Sequence, residues 1–457
     1  MITPGIFKAN DIRGRAIEPN PDWDSDGARA IGAAWVDVSG LKPGVDSLVI
    51  GRDMRLTSPE FAAAFADGVA GRGVDVIDIG LASTDQLWYA SGALGLPGAM
   101  FTASHNPAPD NGIKFCRAGA LPVAAGDLKA LAEWVLPGSG SVVEEPAADG
   151  RRGTITERDL LPDYAAYLHS LVDLTGIRRL KVVADAGNGM AGHTLPAVLG
   201  PLDLDLIGLY TDPDGTFPNH PPNPLEPENL VDAQAAVREH RADLGLVFDG
   251  DADRCFLIDE TGAVVSPSVI TAMIAGQELG REPGGTIVCN TITSRAVPEL
   301  VRARGGQIVI TRVGHTFVKA AMAEYNAVFG GEHSAHYYFR DFWGADTGML
   351  AALHVLALAG RADVPLSKLV EEFCTYVESG EINSTVADQE LIMDRLAAAF
   401  AGRGEPARLD GLTVAADDWW FNVRASNTEP LLRLNVEAAD EPTMIAIRDE
   451  ALKLIRT

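Results

Sequence analysis

Ser104 and His105, a hydroxyl next to an imidazole, are the first residues in the chain whose pairing suggests covalent chemistry. They lie in the segment that reads GAMFTASHNPAPDNGIKF from residue 98 to residue 115. Its apolar opening predicts the end of a buried strand, and the Pro, Asp, Asn and Gly residues that follow cannot continue regular structure. A serine on such a loop suggests a nucleophile, although the GxSxG elbow of hydrolases is absent. A Ser/Asn turn that hydrogen-bonds its own backbone explains these residues equally well when they are taken alone.

Three acidic residues form the second candidate: Asp249, Asp251 and Asp253 alternate with small residues after an apolar strand. Carboxylates this close together repel one another unless a divalent cation lies between them, and all-oxygen ligands favour Mg²⁺ over zinc. An EF-hand is a weaker interpretation, because Arg254 stands where its loop needs Gly and a strand precedes the loop where a helix should. An aspartyl nucleophile of the haloacid dehalogenase kind would leave Ser104 without a role. We therefore predict a Mg²⁺ site.

Polar groups suited to a sugar occur in the segment GGEHSAH, residues 330 to 336. Its glycines allow close approach of the backbone, and Glu332 and Ser334 offer acceptors and a donor for sugar hydroxyls. We include His336 and, in the segment TRVGH, His315 as candidate substrate ligands. A hairpin or capping turn explains GEHSAH equally well on its own, and a lone histidine such as His315 is as often structural.

A short loop near the carboxyl end, RASNTEP from residue 424 to residue 430, has the composition of a phosphate site. The guanidinium of Arg424 presents a fork for two phosphate oxygens, while Ser426, Asn427 and Thr428 add side-chain donors and exposed backbone N–H groups. A Ser/Asn/Thr turn between two strands is the competing interpretation, and for this motif alone it is the preferred one.

Together these motifs resemble, in the same order, the motifs of the α-D-phosphohexomutases: TASHNP followed by NGIK, then DGDADR from 249, GEHSAH from 331 and RASNTEP from 424. The resemblance spans nearly the whole chain, and four ordered motifs are far more specific than any one of them. Within the family, the last two motifs look most like the bacterial phosphomannomutase/phosphoglucomutase branch. The phosphoglucosamine mutases usually carry variants such as GEQSGH and a Gly in place of Asn427.

The resemblance implies an enzyme that interconverts hexose 6-phosphate and hexose 1-phosphate, with mannose as the first expected sugar and glucose as the second. A phosphorylated Ser104 would give its phosphoryl group to the free sugar hydroxyl and then take the other phosphate of a hexose 1,6-bisphosphate intermediate, a compound that also serves as activator. Mg²⁺ would be held by the Ser104 phosphate and the three aspartates. A phosphoglucosamine mutase, a serine-dependent sugar phosphatase and a non-catalytic phosphosugar-binding protein are the alternatives.

The resemblance also assigns catalytic roles to basic residues. Arg254, next to the aspartates, would stabilise charge on the transferring phosphoryl group, and Lys114 would transfer a proton. Arg13 in the segment NDIRG resembles the family's N-terminal active-site arginine. His105, next to the predicted nucleophile Ser104, completes the catalytic set.

Two positions depart from the family pattern. Asn10 stands where a Tyr is expected, and no lysine occurs near Ile292, where the family carries one. Arg295 and Arg312 are the nearest basic residues in the sequence. Both departures leave open which substrate contacts these positions make.

The elements that must position these residues alternate between strand and helix patterns, and 457 residues exceed what one hydrophobic core accommodates. We predict the α/β class, with three successive mixed, mostly parallel α/β domains and a smaller α+β domain around a central cleft. Strand ends in open α/β sheets are where ligand-binding loops lie. The expected domains are 1–150 with the phosphoserine loop, 151–255 with the metal loop, 256–365 with the sugar-recognition loop and 366–457 with the phosphate-binding loop. Residues 137 to 153, rich in Gly, Ser, Glu and Pro, are the predicted first linker.

Composition narrows the possible partners. The formal net charge of −26 argues against nucleic acid or an anionic membrane, because both need a basic surface. The four cysteines show neither CxxC nor zinc-type spacing, so we expect them to be reduced and buried. The chain opens without the apolar run of a signal peptide. We expect a cytoplasmic enzyme, monomeric or homodimeric, whose partner is a phosphorylated hexose.

Overall fold

The computed structural model describes residues 1–124, 126–136, 150–425 and 431–457. Its strands are, in chain order, β1 (Ile12–Arg15), β2 (Ser47–Arg52), β3 (Asp75–Leu81), β4 (Gly98–Phe101), β5 (Asp110–Arg117), β6 (Leu121–Pro122), β7 (Ile155–Glu157), β8 (Leu180–Asp185), β9 (Leu204–Leu209), β10 (Leu244–Phe248), β11 (Cys255–Asp259), β12 (Val264–Val265), β13 (Thr286–Asn290), β14 (Gln307–Thr311), β15 (Phe329–Gly331), β16 (Tyr337–Phe339), β17 (Ala345–Asp346), β18 (Val377–Thr385), β19 (Glu405–Ala407), β20 (Leu412–Ala415), β21 (Trp419–Ala425) and β22 (Leu431–Ala438).

Helices separate most of the strands. They are α1 (Ser25–Ser39), α2 (Ser58–Gly71), α3 (Thr84–Leu94), α4 (Asp127–Val135), α5 (Leu161–Leu171), α6 (Ala191–Val198), α7 (Val231–His240), α8 (Pro267–Arg281), α9 (Ala296–Ala303), α10 (His315–Glu324), α11 (Gly348–Arg361), α12 (Leu366–Glu371), α13 (Gln389–Ala399) and α14 (Glu441–Ile455). Short 3₁₀ helices occur at Pro4–Ile6, Pro227–Leu230 and Arg340–Phe342. None of the helices that the structure describes has both the length and the apolar character needed to cross a lipid bilayer.

The chain packs as two compact units. Unit 1 comprises residues 1–265 and 336–366, and it contains two sheets that carry predicted site residues. The seven-stranded sheet has the order β1-β5-β4-β2-β3-β7, with β6 beside β5, and the five-stranded sheet has the order β12-β11-β10-β8-β9. Both sheets are mixed: β2 is parallel to β3 and β4, whereas β5 is antiparallel to β1 and β4.

The larger sheet is held by an apolar core that explains why β4 and its neighbours form. All four residues of β4 are buried, as are the central positions of β2. Helix α1 packs its apolar face on this sheet, and the Trp35 ring stacks on Phe115 of β5 at 4.2 Å. Asp24 caps α1 by accepting a hydrogen bond from the Gly27 N–H. The carboxyl end of a buried, interior strand of the sheet therefore carries the loop of Ser104.

Unit 2 comprises residues 266–335 and 367–457. In its first part β13 pairs in parallel with β14 and β15. In its second part an antiparallel sheet of order β18-β22-β21-β20-β19 has its own apolar core, to which α13 and α14 contribute. This arrangement is the smaller α+β segment that the sequence predicted.

The structure tests the expectation for the cysteines, but it leaves most of the predicted linker undescribed. Cys116, Cys255 and Cys289 are buried free thiols, but the prediction that all four cysteines are buried was wrong, because Cys374 is exposed in the short segment between α12 and β18. Most of the predicted linker, residues 137–149, lies outside the described residues.

Candidate active site

Ser104 is fully buried and lies on the segment that leads from β4 to the first residue of β5, residues 102–110, which we call the serine loop. Its φ of 52° falls in the left-handed region, which residues other than Gly rarely adopt. The Ser104 N–H donates to Thr102 Oγ1 at 2.9 Å. Its hydroxyl donates to Asp249 Oδ2 at 2.9 Å and lies 3.2 Å from His105 Nδ1. The predicted nucleophile therefore contacts a predicted metal ligand directly, although the two are 145 positions apart in the chain.

Asp249, Asp251 and Asp253, the acidic triad, occupy the turn of a hairpin formed by β10 and β11. All three are buried, and one ligand oxygen from each lies within 4.8 Å of the others. Gly250 makes their position possible, because a Cβ there would lie 2.5 Å from the backbone oxygen of Ser104. Any side chain at this position would force the hairpin and the serine loop apart.

The protein alone does not satisfy every oxygen of the acidic triad. Asp251 Oδ1 and Asp253 Oδ1 are buried and accept no hydrogen bond from the described residues. Burial, together with the charges of Asp253 and Asp251, raises the pKa of Asp249 well above its usual range. Buried carboxylate oxygens without a donor are the groups that a divalent cation with oxygen ligands would satisfy. The acidic triad therefore fits a metal site.

Lys114, on β5, reaches the acidic triad. Its ammonium donates to Asp251 Oδ2 at 2.7 Å and to Asp253 Oδ2 at 2.6 Å, and 15% of its side chain is exposed. Burial acts to lower the pKa of Lys114, but the two carboxylates outweigh burial and the pKa is raised. Burial and Asp253 act to raise the pKa of Asp251, yet the bonds from Lys114 and Thr84 leave it below its usual value. Lys114 is therefore held as an ammonium by two members of the triad.

Arg254 links the two predicted histidines of unit 1. Its Nη2 donates to His105 Nδ1 at 3.1 Å, and its Nε donates to His336 Nε2 at 3.2 Å. A guanidinium can only donate, so His105 Nδ1 must carry a lone pair. Burial and the charges of Arg254 and Arg13 lower the pKa of His105 well below its usual range, which keeps the imidazole neutral. His336 Nε2 also lies 3.6 Å from Asp253 Oδ1, a place that its predicted role in sugar binding did not anticipate.

Arg13, on β1, contacts the serine loop. Its Nε donates to Asp11 Oδ2 at 2.7 Å, and its Nη1 donates to Asn106 Oδ1 at 3.2 Å and to the Ala103 carbonyl at 3.5 Å. Asp11 is buried, so this carboxylate fixes the guanidinium. The structure thus brings Arg13 to the loop of Ser104.

The sugar-binding residues predicted for unit 2 take part in its local structure. Glu332 is buried, and its Oε1 accepts hydrogen bonds from Asn290 Nδ2 at 3.0 Å and from the Gly314 N–H at 3.2 Å. His315 is the first residue of α10, and Ser334 is half-buried. Glu332 therefore fixes the loop that leads into His315.

Of the four predicted phosphate ligands, the structure describes Arg424, which lies on β21. Ser426, Asn427 and Thr428 lie outside the described residues. Arg424 Nη2 donates to Glu381 Oε2 at 2.7 Å. A phosphate bound at Arg424 would therefore compete with a carboxylate for the guanidinium.

Sequence reasoning missed two residues that contact the site. Arg55 follows β2, and its guanidinium donates to the Ser104 carbonyl at 2.7 Å. Thr84, the first residue of α3, donates through its hydroxyl to Asp251 Oδ2 at 2.5 Å. Because β2 and β4 are parallel neighbours, the loops that follow them meet at one sheet edge, and this adjacency is a signal that could have found Arg55. No comparable signal marks Thr84.

Comparison with known proteins gives matches along almost the whole chain. Family models described as phosphoglucomutase/phosphomannomutase α/β/α domains I, II and III match residues 4–135, 162–262 and 267–376, and the model of the C-terminal domain matches residues 381–454. These four matches confirm the four-domain α/β class, whereas the domain boundaries expected from the sequence stay a prediction.

Individual relatives agree with the family models. A phosphomannomutase from Salmonella montevideo is 39% identical over 464 residues, with 99% of each chain covered. A protein named phosphohexose mutases, from Xanthomonas campestris pv. campestris strain ATCC 33913, is 37% identical over 455 residues, again with 99% of each chain covered. Among solved structures, a phosphoglucomutase/phosphomannomutase family protein from Burkholderia thailandensis matches with a TM-score of 0.89 and 33% identity, over 99% of this chain and 97% of that one.

Proposed function

The chain belongs to the phosphoglucomutase/phosphomannomutase family, and on that premise we propose that it interconverts mannose 6-phosphate and mannose 1-phosphate, with the glucose phosphates as a second substrate pair. Membership makes the chain an isomerase that moves a phosphoryl group on a phosphorylated hexose. The relatives named phosphomannomutase support the choice of mannose. The observation that carries the proposal is the hydrogen bond from the Ser104 hydroxyl to Asp249 within the acidic triad.

In the proposed reaction, phosphorylated Ser104 gives up its phosphoryl group. The bond between Oγ and phosphorus breaks, a bond from phosphorus to the free hydroxyl oxygen of the hexose monophosphate forms, and a hexose 1,6-bisphosphate results. The sugar hydroxyl gives its proton to Lys114, and this proton balances the one that Oγ takes up from solvent as it becomes the hydroxyl that donates to Asp249 Oδ2. The bisphosphate then turns and returns its other phosphoryl group to Ser104. Unphosphorylated enzyme therefore needs a hexose 1,6-bisphosphate as activator.

Lys114 is the proposed proton-transfer residue. Its raised pKa makes it an ammonium, the form that gives a proton to the sugar oxygen when phosphate moves from the sugar to Ser104. In the opposite direction the same nitrogen must receive the proton of the sugar hydroxyl as the neutral amine, because forward and reverse steps share one transition state. A divalent cation on Asp251 and Asp253 would favour that form, since it would offset the two charges that raise the Lys114 pKa. Asp251 and Asp253 hold the Lys114 nitrogen in place through both steps.

Positive charge around the phosphoryl oxygens is the main requirement of phosphoryl transfer. Mg²⁺ held by the acidic triad and by an oxygen on phosphorylated Ser104 would supply charge that offsets the phosphoryl oxygens. Arg254 supplies a guanidinium whose orientation is already set by its bonds to His105 and His336. Arg13 contributes a second guanidinium and contacts the loop that carries the nucleophile.

The residues of unit 2 complete the proposal. Glu332, Ser334 and His315 would recognise the sugar hydroxyls, since their side chains supply both acceptors and donors. Arg424, with Ser426, Asn427 and Thr428, would bind the phosphate that is not being transferred.

A coupled assay with mass spectrometry tests the function. Enzyme with Mg²⁺ is given mannose 1-phosphate, glucose 1-phosphate or glucosamine 1-phosphate, each with and without the matching 1,6-bisphosphate. We expect 6-phosphate from the mannose and glucose compounds, strong dependence on bisphosphate, and a phosphate that peptide mapping locates on Ser104. The Ser104→Ala variant should lack both the phosphate and the activity.

Other outcomes of this assay would indicate a different activity. Turnover restricted to glucosamine 1-phosphate would indicate a phosphoglucosamine mutase, and release of inorganic phosphate would indicate a phosphatase. Binding of all three compounds without turnover would indicate a phosphosugar-binding protein. Phosphate found on a member of the acidic triad would overturn the serine mechanism.

A further inference from the structure

The side chain of Arg55 is 1% exposed, and all of its N–H donors form hydrogen bonds within the protein. A guanidinium has five N–H donors, and one of them, on Nε, faces Asp53 Oδ2 at 3.2 Å. The other four donate to backbone carbonyls of the serine loop, those of Ser104 (2.7 Å), Asn106 (2.7 Å), Pro107 (2.8 Å) and Asp110 (2.9 Å). No donor remains for a substrate, so whatever Arg55 contributes must pass through this loop.

The loop needs such a support because Ser104 adopts a disfavoured backbone conformation. A left-handed φ of 52° on a serine persists only where surrounding contacts determine it. Two contacts act on the peptide groups of Ser104 itself: Arg55 binds its carbonyl, and Thr102 Oγ1 accepts from its N–H. Together these contacts fix both ends of the residue and hence the direction in which Oγ points toward Asp249.

Arg55 is in turn fixed by Asp53, which is fully buried. Asp53 Oδ1 accepts hydrogen bonds from the Arg55 N–H at 2.9 Å and from the Ser58 hydroxyl at 2.6 Å. The Phe217 ring lies 5.2 Å from the Arg55 guanidinium carbon and covers it. A buried guanidinium with a saturated donor set and a fixed counter-ion is a rigid support.

From this geometry we infer that Arg55 is a positioning residue of the phosphoryl-transfer site, which holds Ser104 in its left-handed conformation so that Oγ meets both Asp249 and the phosphorus atom. The inference rests on the proposed function, since it assumes that Ser104 carries the phosphoryl group. Arg55 touches neither substrate nor phosphate in this role. Its effect should therefore appear in the rate of phosphoryl transfer and not in substrate binding.

The variants Arg55→Lys and Asp53→Asn test this role. Lysine keeps the charge but has three donors for four carbonyls, and Asp53→Asn keeps Arg55 but weakens its fixed counter-ion. For Arg55→Lys we expect kcat to fall by about tenfold to a hundredfold, as small misplacements of reacting groups do, while KM changes less than about threefold. In Asp53→Asn we expect kcat to fall as well, but by a smaller factor than in Arg55→Lys.

A spectroscopic measurement separates positioning from mere stability. The ³¹P NMR signal of phosphorylated Ser104 should be a single resonance in the wild type and should shift or split in Arg55→Lys, because the serine then samples other conformations. The matched control is Val69→Ala, which removes buried apolar atoms from the core of the same domain, away from the loop. It should lower the melting temperature without changing kcat or the ³¹P resonance.

The outcomes are distinguishable. A wild type without phosphoserine or mutase activity would refute the proposed function, whatever Arg55 does. A wild type with both, accompanied by an Arg55→Lys variant of unchanged kcat and unchanged ³¹P resonance, would refute the positioning role alone. A loss confined to KM would also refute it, because Arg55 would then be acting on substrate binding.

Discussion

Replacing Lys114 with Met tests whether its ammonium neutralises the acidic triad. Met keeps the apolar stem but removes the charge that Asp251 and Asp253 share at 2.7 and 2.6 Å. Breaking a buried ion pair by removing one partner costs about 3 to 5 kcal/mol, because a charge is left buried and uncompensated. Since 15% of the Lys114 side chain reaches solvent, we expect the free energy of unfolding without metal to fall by about 3 kcal/mol, the lower end of that range.

Mg²⁺ should restore most of this loss, because a divalent cation neutralises the same carboxylates. A ligand at 100 times its dissociation constant stabilises a protein by about 2.7 kcal/mol, which is close to the expected loss. The melting temperature should therefore differ more between EDTA and excess Mg²⁺ in Lys114→Met than in the wild type. With Mg²⁺ present, turnover should fall by orders of magnitude relative to the wild type, since the proposed proton-transfer group is gone. Scanning fluorimetry and the coupled assay measure the two quantities.

The matched control is Lys129→Met, the same exchange on a lysine of α4 whose side chain is 81% exposed and whose partner, Glu133 Oε1, is 3.9 Å away. This variant should behave as the wild type in both assays. Equal responses to Mg²⁺ in the wild type and in Lys114→Met would show that the ammonium does not balance the triad. Retained turnover in Lys114→Met would remove Lys114 from proton transfer.

Three further predictions follow from particular contacts. Gly250→Ala should lower kcat about a hundredfold by pushing the hairpin off the Ser104 carbonyl, whereas Gly280→Ala, with open space around its Cβ, should leave kcat unchanged. Arg424→Ala should lower kcat/KM about tenfold to a hundredfold in both reaction directions, and a loss in one direction only would contradict a shared phosphate clamp. Burial raises the pKa of Asp85 from 3.8 to about 6, so the folded state binds this proton more tightly than the unfolded state does, and the free energy of unfolding should fall as the pH rises between these two values. Melting temperatures measured across this pH range should show the fall in the wild type and not in Asp85→Asn.

The candidate active site of unit 1 was largely predictable, because its motifs follow strands with clear patterns. The apolar run before the serine loop is β4, and the run before the acidic triad is β10. Strand ends gather ligand-binding loops, so a nucleophile and a metal loop predicted at two strand ends had few other places to meet. The contact between Ser104 and Asp249 is the result.

The residues that hold this candidate site in place could not be predicted in the same way. Arg55 and Thr84 act through contacts with residues 49 and 167 positions away, and neither belongs to a recognisable motif. His336 was grouped with Glu332 by sequence alone, but Ala335 has a φ of 65°, which breaks the regular alternation of side chains just before His336. A local sequence pattern predicts which way side chains point within one element. The positions of these residues depend instead on how segments far apart in the sequence pack together.

Charge balance explains why the proposed metal and the proposed phosphoserine would belong together at this candidate site. When Asp249, Asp251 and Asp253 are all ionised, as metal ligands must be, their two ion-pair partners Lys114 and Arg254 leave one negative charge in excess. A divalent cation alone would reverse the sign, and a phosphoryl group alone, which carries about −1.5 to −2 charges at pH 7, would deepen the excess. Both together leave the balance nearly unchanged, so each favours the binding of the other, and linkage makes the effect mutual. On the proposed function, a chain with a net charge of −26 would be able to work on anionic sugars, because its site would need extra positive charge only while it held phosphate.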